Sequence, residues 1–480
     1  MSSAVHTIVL AGRSADVWPV AALLERELPP RIKLHVIEDG GIYGPRGATV
    51  PLGSGYHTRT GIDCATLLEH CDAALSLGSV LENWRGEGSR FVTAPSGTLP
   101  AVGGVALHQL LLKMAAGNAD FGQSFAPFRF AARAAEAGKM ALPADAPDSP
   151  LAMLGPQVSF DRGRYAAMLR ARCEGACTIS KGRVAAAQIN GCGDIGSVTL
   201  DSGAKIPGDF FVDCSGDLSD VAGCPEDLRP LQIVPFGQVA TIALVADRKP
   251  VMPIYRAQED GLLAITPTAS GQLLTFACST ETTEETILQF TSESAVIATV
   301  GNGCTDTPWL HNLVRLGTAS VQIGSMLSAD IVLLQAQSLL LADCLPVRSQ
   351  MQAEADAFNR KHAETVRGIT DFAFAPLYLG AHAGLVWEEV RASPPPHSLQ
   401  IRIDQFRSRA RVPSFERDYA DEQTWTELLF GMGLQPSGYD RRADTIPPAH
   451  IERVLNTIRQ QLDGALARME TRTNFLRRFA

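Results

Sequence analysis

The first turn of the chain carries residues that could bind the phosphates of a dinucleotide. It follows a short apolar run, Thr7 to Leu10, and reads Gly12-Arg13-Ser14-Ala15-Asp16-Val17. A dinucleotide-binding turn uses three glycines: one for the turn, one for close approach of the backbone to the pyrophosphate, and one for packing of the helix on the strand. Only the first is present here. Ser14 is small enough for the close approach, whereas Asp16 adds a negative charge and Val17 a β-branched side chain.

Glu38 is the second candidate binding residue. It follows a predicted strand, Lys33 to Ile37, which comes directly after a predicted helix, Trp18 to Leu28. A strand-helix-strand unit that ends in an acidic residue is typical of nucleotide-binding domains, in which the carboxylate accepts hydrogen bonds from ribose hydroxyls. The alternatives are an ordinary doubly wound α/β domain and an exposed charge at the end of a strand.

The rest of the chain predicts the elements that would position these residues. Phe210 to Cys214 reads as a buried strand, and Ile179 to Ile206 as antiparallel strands with Gly/Asp turns. Residues 140–157 predict a surface loop and residues 232–279 a further sheet. Beyond Ser325 the pattern is helical, with helices expected near residues 329–343, 350–373, 422–431 and 448–478.

Several segments of this chain resemble the flavin-dependent tryptophan halogenases, and the resemblance runs nearly end to end. In the first half it rests on Ile8 to Trp18, the helix Ala21 to Leu28, Tyr43 to Pro51, and Phe211-Val212-Asp213-Cys214-Ser215-Gly216. In the second half it rests on Phe358-Asn359-Arg360, Asp371-Phe372, Trp425, Gly431-Met432-Gly433, Pro436, Tyr439 and Phe475. The later features are mostly helix packing, so they indicate ancestry rather than activity.

The resemblance implies an α/β fold with a Rossmann-like FAD-binding module. That module would span residues 1–350 and include an inserted antiparallel sheet that covers the substrate, and a C-terminal helical layer would span residues 351–480. The resemblance implies FAD as the cofactor, at the positions of Gly12, Ser14, Glu38, Ala48, Asp213, Gly216 and Gly317. It also implies an aromatic small-molecule or peptide substrate, a flavin reductase as partner, and a homodimer or a heterodimer with a paralogue.

The residues that halogenate in this family are missing here. In the family, reduced flavin, oxygen and halide yield hypohalous acid, which passes through a tunnel to a Lys that delivers halogen to an electron-rich ring, assisted by a Glu. The matching positions are Ser76, in Ala73-Ala74-Leu75-Ser76-Leu77-Gly78, and Leu327. A hydroxyl cannot form a haloamine and carries no positive charge. The alternative for Ser76 is an ordinary polar residue in a helix.

Two further positions depart from the family. Asp330 falls where the family offers small residues and backbone N–H groups to halide, and an ionised carboxylate there would repel chloride; its alternative role is in the first turn of the following helix. Leu262 to Pro267 replaces a Trp-x-Trp-x-Ile-Pro segment, with both Trp positions small, which predicts a roomier flavin face.

These departures lead to two hypotheses. The first is a halogenase-like protein that does not halogenate by the family mechanism and acts as an FAD-binding, ligand-binding or partner subunit. The alternative is an active flavin-dependent oxidoreductase, a monooxygenase or a halogenase, on an aromatic, indole-type substrate. Lys113 and Lys139 could replace the missing amine, but no motif surrounds them, and solvated surface lysines are the simpler interpretation.

Composition limits the partners and the compartment. The net charge of −9 is spread along the chain without a basic run, so nucleic acid is not an expected partner. No stretch approaches the roughly 20 apolar residues of a membrane-spanning helix, and the start lacks an export signal, so we expect a cytoplasmic protein without a membrane partner. The ten Cys are dispersed without His at metal spacing, so no metal site is expected.

Overall fold

Apolar runs form the strands, and segments with helical periodicity form the helices that cover them. The structure, a computed structural model, describes residues 4–40, 44–95, 97, 101–115, 125–146, 149–224, 228–231, 236–244, 250–291, 294–324, 327–348 and 351–479. Tyr43, Ser325 and Met326, which belong to segments compared with the family above, lie outside these ranges. Among the helices that the structure describes, none combines the length and the apolar composition that crossing a membrane requires.

The strands are short, and most alternate with turns. They are β1 Thr7–Arg13, β2 Lys33–Asp39, β3 Gly47–Pro51, β4 Ala74–Ser76, β5 Ser79–Glu82, β6 Arg90–Thr93, β7 Gln157–Asp161, β8 Thr178–Lys181, β9 Val184–Ile189, β10 Ile195–Leu200, β11 Lys205–Pro207, β12 Phe210–Asp213, β13 Gln238–Leu244, β14 Ile254–Gln258, β15 Gly261–Pro267, β16 Gln272–Cys278, β17 Val296–Thr299, β18 Asn302–Cys304, β19 Trp309–Leu310, β20 Leu313–Arg315 and β21 Val321–Ile323.

The helices cluster in the second half of the chain. They are α1 Ser14–Glu27, α2 Gly55–Thr60, α3 Cys64–His70, α4 Leu107–Met114, α5 Phe130–Glu136, α6 Arg162–Cys173, α7 Asp217–Val221, α8 Glu284–Phe290, α9 Ala329–Asp343, α10 Gln352–Leu379, α11 Leu385–Ala392, α12 His397–Arg409, α13 Glu422–Gly431, α14 Pro448–Arg468 and α15 Arg472–Leu476.

The central sheet has the strand order β19-β20-β12-β1-β2-β8, and its strands are parallel except for β19. Strands of a parallel sheet are covered on both faces, which requires continuous apolar runs. Val9, Leu10, Val36 and Val212 satisfy this requirement and are fully buried. Because the strands are parallel, the carboxyl ends of β1, β2, β12 and β20 meet at one edge of the sheet, which we call the dinucleotide edge.

A second, seven-stranded sheet has the order β17-β13-β16-β15-β14-β5-β6 and is antiparallel except where β14 pairs with β5. A small sheet, β3-β7-β4, is separate in its hydrogen bonding and packs against β15 and β16 of the seven-stranded sheet. One contiguous core of buried apolar side chains extends from Val5 to Phe475 and includes residues of the sheets and of the C-terminal helices. The predicted α/β architecture, with a Rossmann-like sheet, an antiparallel sheet and C-terminal helices, is confirmed.

Some local predictions differ from the structure. Thr178–Lys181 adds to the parallel sheet, because β8 pairs with β2, and only the strands after it form an antiparallel unit. The segment predicted as a loop, residues 140–157, ends inside strand β7. The predicted helix 448–478 divides after Arg468, where Met469 is extended and the Thr471 side chain caps a new helix. Helix α9 has the predicted bounds.

Candidate functional site

The structure places five of the seven predicted cofactor residues at the dinucleotide edge. Gly12 and Glu38 are paired near the ends of β1 and β2, and Asp213 is the last residue of β12. Gly216 precedes α7 with a φ of +98°, and Gly317 follows β20 with a φ of +55°. The parallel topology therefore brings together side chains that are about 300 residues apart in sequence, as nucleotide-binding folds do.

The other two predicted cofactor residues have different positions. Ser14 is the first residue of α1 and lies beside the edge. Ala48 lies in β3, outside the central sheet, where it pairs with Phe160 of β7 and is buried. A role for Ala48 in cofactor binding stays a prediction.

Gly12 is required for packing between strands. A Cβ atom at this position would lie 2.8 Å from the Cβ of Cys214, which is closer than real Cβ contacts allow. Strand β1 continues to Arg13 and helix α1 begins at Ser14, so no loop separates the strand from the helix. The glycine is therefore explained by the contact with Cys214 without reference to a ligand.

Both carboxylate oxygens of Glu38 are already engaged. Oε1 accepts hydrogen bonds from Ser14 Oγ at 2.7 Å and from Trp18 Nε1 at 2.8 Å, and Oε2 accepts one from Arg170 Nε at 3.3 Å. Burial raises the pKa of Glu38, but the hydrogen bonds from Trp18, Ser14 and Arg170 together hold it below its usual value. Glu38 is a buried, ionised acceptor, not the exposed strand-end charge that was the alternative prediction.

Asp213 caps the helix that follows it. Its Oδ1 accepts from the backbone N–H groups of Ser215 and Gly216, and its Oδ2 accepts from the backbone N–H and the hydroxyl of Ser219, at distances between 2.6 and 3.0 Å. Such hydrogen bonds satisfy the free N–H groups at a helix start. The Asp-Cys-Ser-Gly segment is therefore explained structurally by the start of α7.

Arg162, Asp16 and Asp330 form a buried ion cluster that the sequence did not indicate. Arg162 Nη2 lies 3.5 Å from Asp16 Oδ1, and Arg162 Nη1 donates to Asp330 Oδ2. Asp330 is in the first turn of α9, so the alternative prediction for this residue is correct, and its carboxylate is paired with a guanidinium. Burial raises the pKa of Asp16 to about 6, even though Arg162 opposes the shift.

Replacing Asp16 with asparagine is expected to change how stability depends on pH. The folded pKa of about 6 lies above the ordinary value of 3.8, so the folded state retains the proton longer, and stability falls as pH rises through this interval. Relative to the Asn variant, the wild type should lose about 1 kcal/mol between pH 5 and pH 7. Urea unfolding at several pH values measures this difference. Asp404→Asn, at an exposed position, is the control; parallel curves for wild type and Asp16→Asn would contradict the assignment.

A cavity of about 520 Å³ is bounded by strands β3 and β7, by strands β5, β6 and β14 of the seven-stranded sheet, and by helices α9, α10 and α13. Its walls are mostly apolar, and three rings line it: Phe372, Tyr255 and Tyr419. At its polar side Ser79 Oγ donates to Gln157 Oε1 at 3.0 Å. The described lining residues are Thr49, Pro51, Ser79, Leu81, Thr93, Pro95, Gly97, Ala152, Leu154, Gly155, Gln157, Tyr255, Leu327, Ala329, Val332, Ile369, Phe372, Ala373, Tyr419, Ala420, Asp421 and Thr424.

Leu327 lines this cavity directly. It and Ser328 have positive φ angles, of 48° and 60°, just before α9. The Ser328 hydroxyl accepts a hydrogen bond from the backbone N–H of Thr49 at 3.0 Å, which connects this turn to β3. The position that matches the family's Glu therefore presents an aliphatic side chain to the cavity.

Ser76 lies next to residues of the cavity wall but is not itself among the described residues that line the cavity. It is in strand β4, not in the helix considered as an alternative, and it pairs with Gln157 of β7, which in turn pairs with Pro51 of β3. Directly opposed residues on neighbouring strands share a face, and Gln157 and Pro51 both line the cavity. Ser76 Oγ is buried and has no hydrogen-bond partner among the described residues.

Neither Lys113 nor Lys139 substitutes for the missing amine. Lys113 Nζ donates to the carbonyls of Ala443 and Ile446, at 2.9 and 2.8 Å, and Lys139 Nζ donates to Met469 O at 2.8 Å. Both ammonium groups thus hold C-terminal segments in place, which corrects the prediction of freely solvated lysines. Among the described residues that line the cavity there is no Lys, Arg or His, and the one charged side chain is Asp421.

The segment that matches the family's Trp-x-Trp marker is strand β15. Leu262 and Ala264, at the two Trp positions, are buried in the main core, and neither is among the described residues that line the cavity. The small side chains are thus accommodated by packing and do not enlarge this cavity; the roomier flavin face stays a prediction. The described residues contain no group of three or more His, Cys, Asp or Glu placed to hold a metal ion.

Sequence reasoning missed Arg162, Gln157 and Tyr255, which form the ion cluster and the cavity wall. No local motif marks them, because their partners come from distant segments. At the dinucleotide edge, the fit to FAD is poor: Glu38 already receives three hydrogen bonds, Asp16 is acidic where a diphosphate would approach, and Arg162 is paired with two carboxylates.

The chain is similar to known halogenases in sequence and in fold. Tryptophan 6-halogenase ThaL from Streptomyces albogriseolus is 24% identical over 91% of each chain. Among solved structures, BrvH, a flavin-dependent halogenase from Brevundimonas sp. BAL3, has a TM-score of 0.88 at 21% identity over 99% of both chains. Xcc4156, a flavin-dependent halogenase from Xanthomonas campestris, has a TM-score of 0.89 at 23% identity over 99% of both chains. These structures share the fold.

The family model for tryptophan halogenase matches residues 7–223 and 277–448, which is more than half of the chain. The matched segments contain the dinucleotide edge, Ser76 and Leu327, whereas the stretch between them contains the Leu262–Pro267 segment. The chain therefore belongs to the tryptophan halogenase family.

Proposed function

We propose that this chain is a member of the family that binds a small aromatic molecule in its cavity and does not transfer halogen to it. The observation that carries this proposal is the chemistry of the cavity wall. Its described residues include no amine, and Ser76 and Leu327 occupy the positions of the family's Lys and Glu. Ser76 pairs with the lining residue Gln157 but does not itself line the cavity. Without an amine no haloamine forms, and an aliphatic side chain cannot accept the proton that the ring loses.

The cavity itself suits an aromatic ligand. Its volume of about 520 Å³ lies within the usual range for small-molecule sites. Phe372, Tyr255 and Tyr419 offer ring faces and edges, and the Ser79–Gln157 pair offers one polar contact for orientation. An indole-type compound has this combination of an apolar ring system and a single N–H donor.

A second candidate function is an active flavin-dependent oxidoreductase on a similar substrate, supplied with reduced flavin by a separate reductase. The observation in its favour is the gathering of Gly12, Glu38, Asp213, Gly216 and Gly317 at one edge of the parallel sheet. Such an enzyme would consume oxygen faster when its substrate is present. A homodimer, or a heterodimer with an active paralogue, is part of the first proposal, in which this chain is a partner subunit.

The purified chain is expected to bind indole saturably and to leave it unmodified. In titration calorimetry indole should give a Kd of about 10 µM to 1 mM, as befits a ligand of few atoms. In a reaction with flavin reductase, NADH, FAD, oxygen and bromide or chloride, mass spectrometry should detect no halogenated indole above a control without the protein. A halogenated product that depends on this chain would contradict the proposal, and oxygen consumption stimulated by indole would favour the second candidate.

Matched variants show whether binding occurs in the cavity. Ala152→Trp places a ring in the cavity from a half-buried position and should weaken indole binding at least about tenfold. Ala137→Trp introduces the same side chain at an exposed position and should bind like the wild type. Equal affinities of the two variants would show that indole binds elsewhere.

A further inference from the structure

We propose that the β1–β2 side of the dinucleotide edge is closed by the chain's own side chains, so that the protein folds and binds its ligand without retaining FAD. This inference goes beyond the proposed function, which concerns the cavity. It rests on three features of the edge: an acceptor that already receives three hydrogen bonds, a carboxylate at the helix start, and a turn without room for a diphosphate. A cavity of about 380 Å³ remains at the β12–β20 side, where Gly216, Arg315 and Thr318 are among its lining residues.

The acceptor that already receives three hydrogen bonds is Glu38. A carboxylate at the end of the second strand normally accepts hydrogen bonds from the ribose of a dinucleotide. Here Ser14 Oγ and Trp18 Nε1 both donate to Oε1, and Arg170 donates to Oε2. A ribose would have to compete with these donors, which come from the chain's own α1 and α6, because only Oε2 keeps an acceptor site. Binding would then exchange internal hydrogen bonds for new ones with little gain.

The carboxylate at the helix start is Asp16. A helix N-terminus attracts anions through its free N–H groups and its dipole, which is why dinucleotides place their diphosphate there. Asp16 is buried in the first turn of α1 and already occupies this favourable position with a negative group. It would repel a diphosphate, and its partner Arg162 cannot compensate, because Arg162 also pairs with Asp330 of α9.

The turn offers no room for a close approach. Strand β1 is paired as far as Arg13, opposite Asp39, and α1 starts at the next residue. Val17, at the position where the third glycine of the motif would stand, is fully buried in the main core. The helix is thus packed through a β-branched side chain, and the phosphate-binding loop of the motif is replaced by continuous structure.

Together these contacts connect the helices and strands that a bound dinucleotide would otherwise connect. They connect α1 to β2 through Ser14, Trp18 and Glu38, and α1 to α6 and α9 through Asp16, Arg162 and Asp330. In a protein that retains a dinucleotide, the ligand bridges these same elements. Here internal hydrogen bonds and ion pairs bridge them, and the fold needs no ligand at this edge.

Titration of the full chain with FAD tests the proposal. We expect a Kd above about 100 µM, no flavin retained through gel filtration, and no measurable rise in the unfolding temperature with 100 µM FAD. Saturable binding with a Kd below about 100 µM, or a yellow preparation with a flavin spectrum, would overturn it. This outcome is separate from the halogenation assay, because a chain can bind FAD and still fail to halogenate.

Variants identify the side chains that close the edge. Ser14→Gly combined with Asp16→Ala and Val17→Gly restores the glycine pattern, removes one donor to Glu38, and should tighten FAD binding at least about tenfold relative to the wild type. Because glycine at position 17 weakens α1, Asp16→Ala alone is measured beside it; this variant keeps the helix and removes the carboxylate that would repel the diphosphate. If both variants are folded by circular dichroism and neither binds FAD more tightly than the wild type, the assignment of closure to these side chains is wrong.

Discussion

Replacing Arg162 with leucine is expected to destabilise the protein by about 3–5 kcal/mol, the usual cost of breaking a buried ion pair by removing one partner. Arg162 and Asp16 are each about 5% exposed, so neither charge has much access to water. Without the guanidinium, Asp16 and Asp330 would face each other as two carboxylates with no neutralising partner. Part of the cost should be recovered at low pH, because protonation of Asp16 removes its charge.

Urea unfolding of wild type and Arg162→Leu, followed by circular dichroism at pH 7, measures this loss. Arg164→Leu is the matched control, because Arg164 is exposed on the same helix and its replacement should change stability by less than about 0.5 kcal/mol. Adding Asp16→Asn and Asp330→Asn to Arg162→Leu should restore most of the lost stability, since it removes the unpaired charges. A loss below about 1 kcal/mol for Arg162→Leu would show that the ion cluster contributes little to the stability of the fold.

The sequence predicts the central unit well because its signals are local. An apolar run, a helical segment and a second run ending in Glu38 lie within about forty residues, and the structure forms β1, α1 and β2 from them. Asp213 and Gly216 were found for the same reason, since a strand and the turn after it are adjacent in the chain. Their placement together at one edge follows from parallel strand order, which the strand-helix-strand pattern implies.

The ion cluster and the cavity were not predictable in this way. Arg162 contacts Asp16 and Asp330 across separations of 146 and 168 residues, and no spacing rule connects such positions. The cavity takes its walls from separate strands and helices, each of which contributes a few ordinary side chains. The match of Ser76 to the family's Lys position stays a prediction. Its strand was not predictable, because β4 has only three residues, too few for an alternating pattern to distinguish a strand from a helix.

The hydrogen bonds of Glu38 show what a sequence motif cannot predict. The residue type and its place at the end of β2 agree with a ribose acceptor, and both were read correctly from the sequence. What a pattern cannot show is which donors reach the carboxylate. Ser14 is tolerated in the turn because it is small, yet its hydroxyl is the group that donates to Glu38 Oε1. Serine in place of the second glycine is small enough for a ligand to approach, but its hydrogen bond to Glu38 contributes to closing the edge.

Replacing Ser76 with lysine is expected to destabilise the protein by about 3 kcal/mol or more and to leave it unable to halogenate. Position 76 is 2% exposed, and its hydroxyl has no partner among the described residues, so an ammonium there would lose hydration without gaining an acceptor. Leu327 offers no carboxylate at the cavity wall. The lysine pKa should fall by several units, and the neutral amine would be the form that the folded state tolerates.

Ser76→Met is the matched control, because methionine has nearly the length of lysine and no charge. Both variants overpack the strand, so the difference between their unfolding free energies reports the cost of the amine alone. This difference should shrink as pH rises from the lowered folded-state pKa of the lysine toward its ordinary value of about 10, because in that interval only the unfolded state still holds the proton. The reductase-coupled assay with bromide and indole should detect no product from either variant, because an amine at position 76 does not open the dinucleotide edge. Halogenated indole from Ser76→Lys alone would mean that oxidised halide reaches position 76. Because oxidised halide is produced by reduced flavin and oxygen, this chain would then have to bind flavin. The edge formed by Glu38, Asp16 and Arg162 could not be closed in that case.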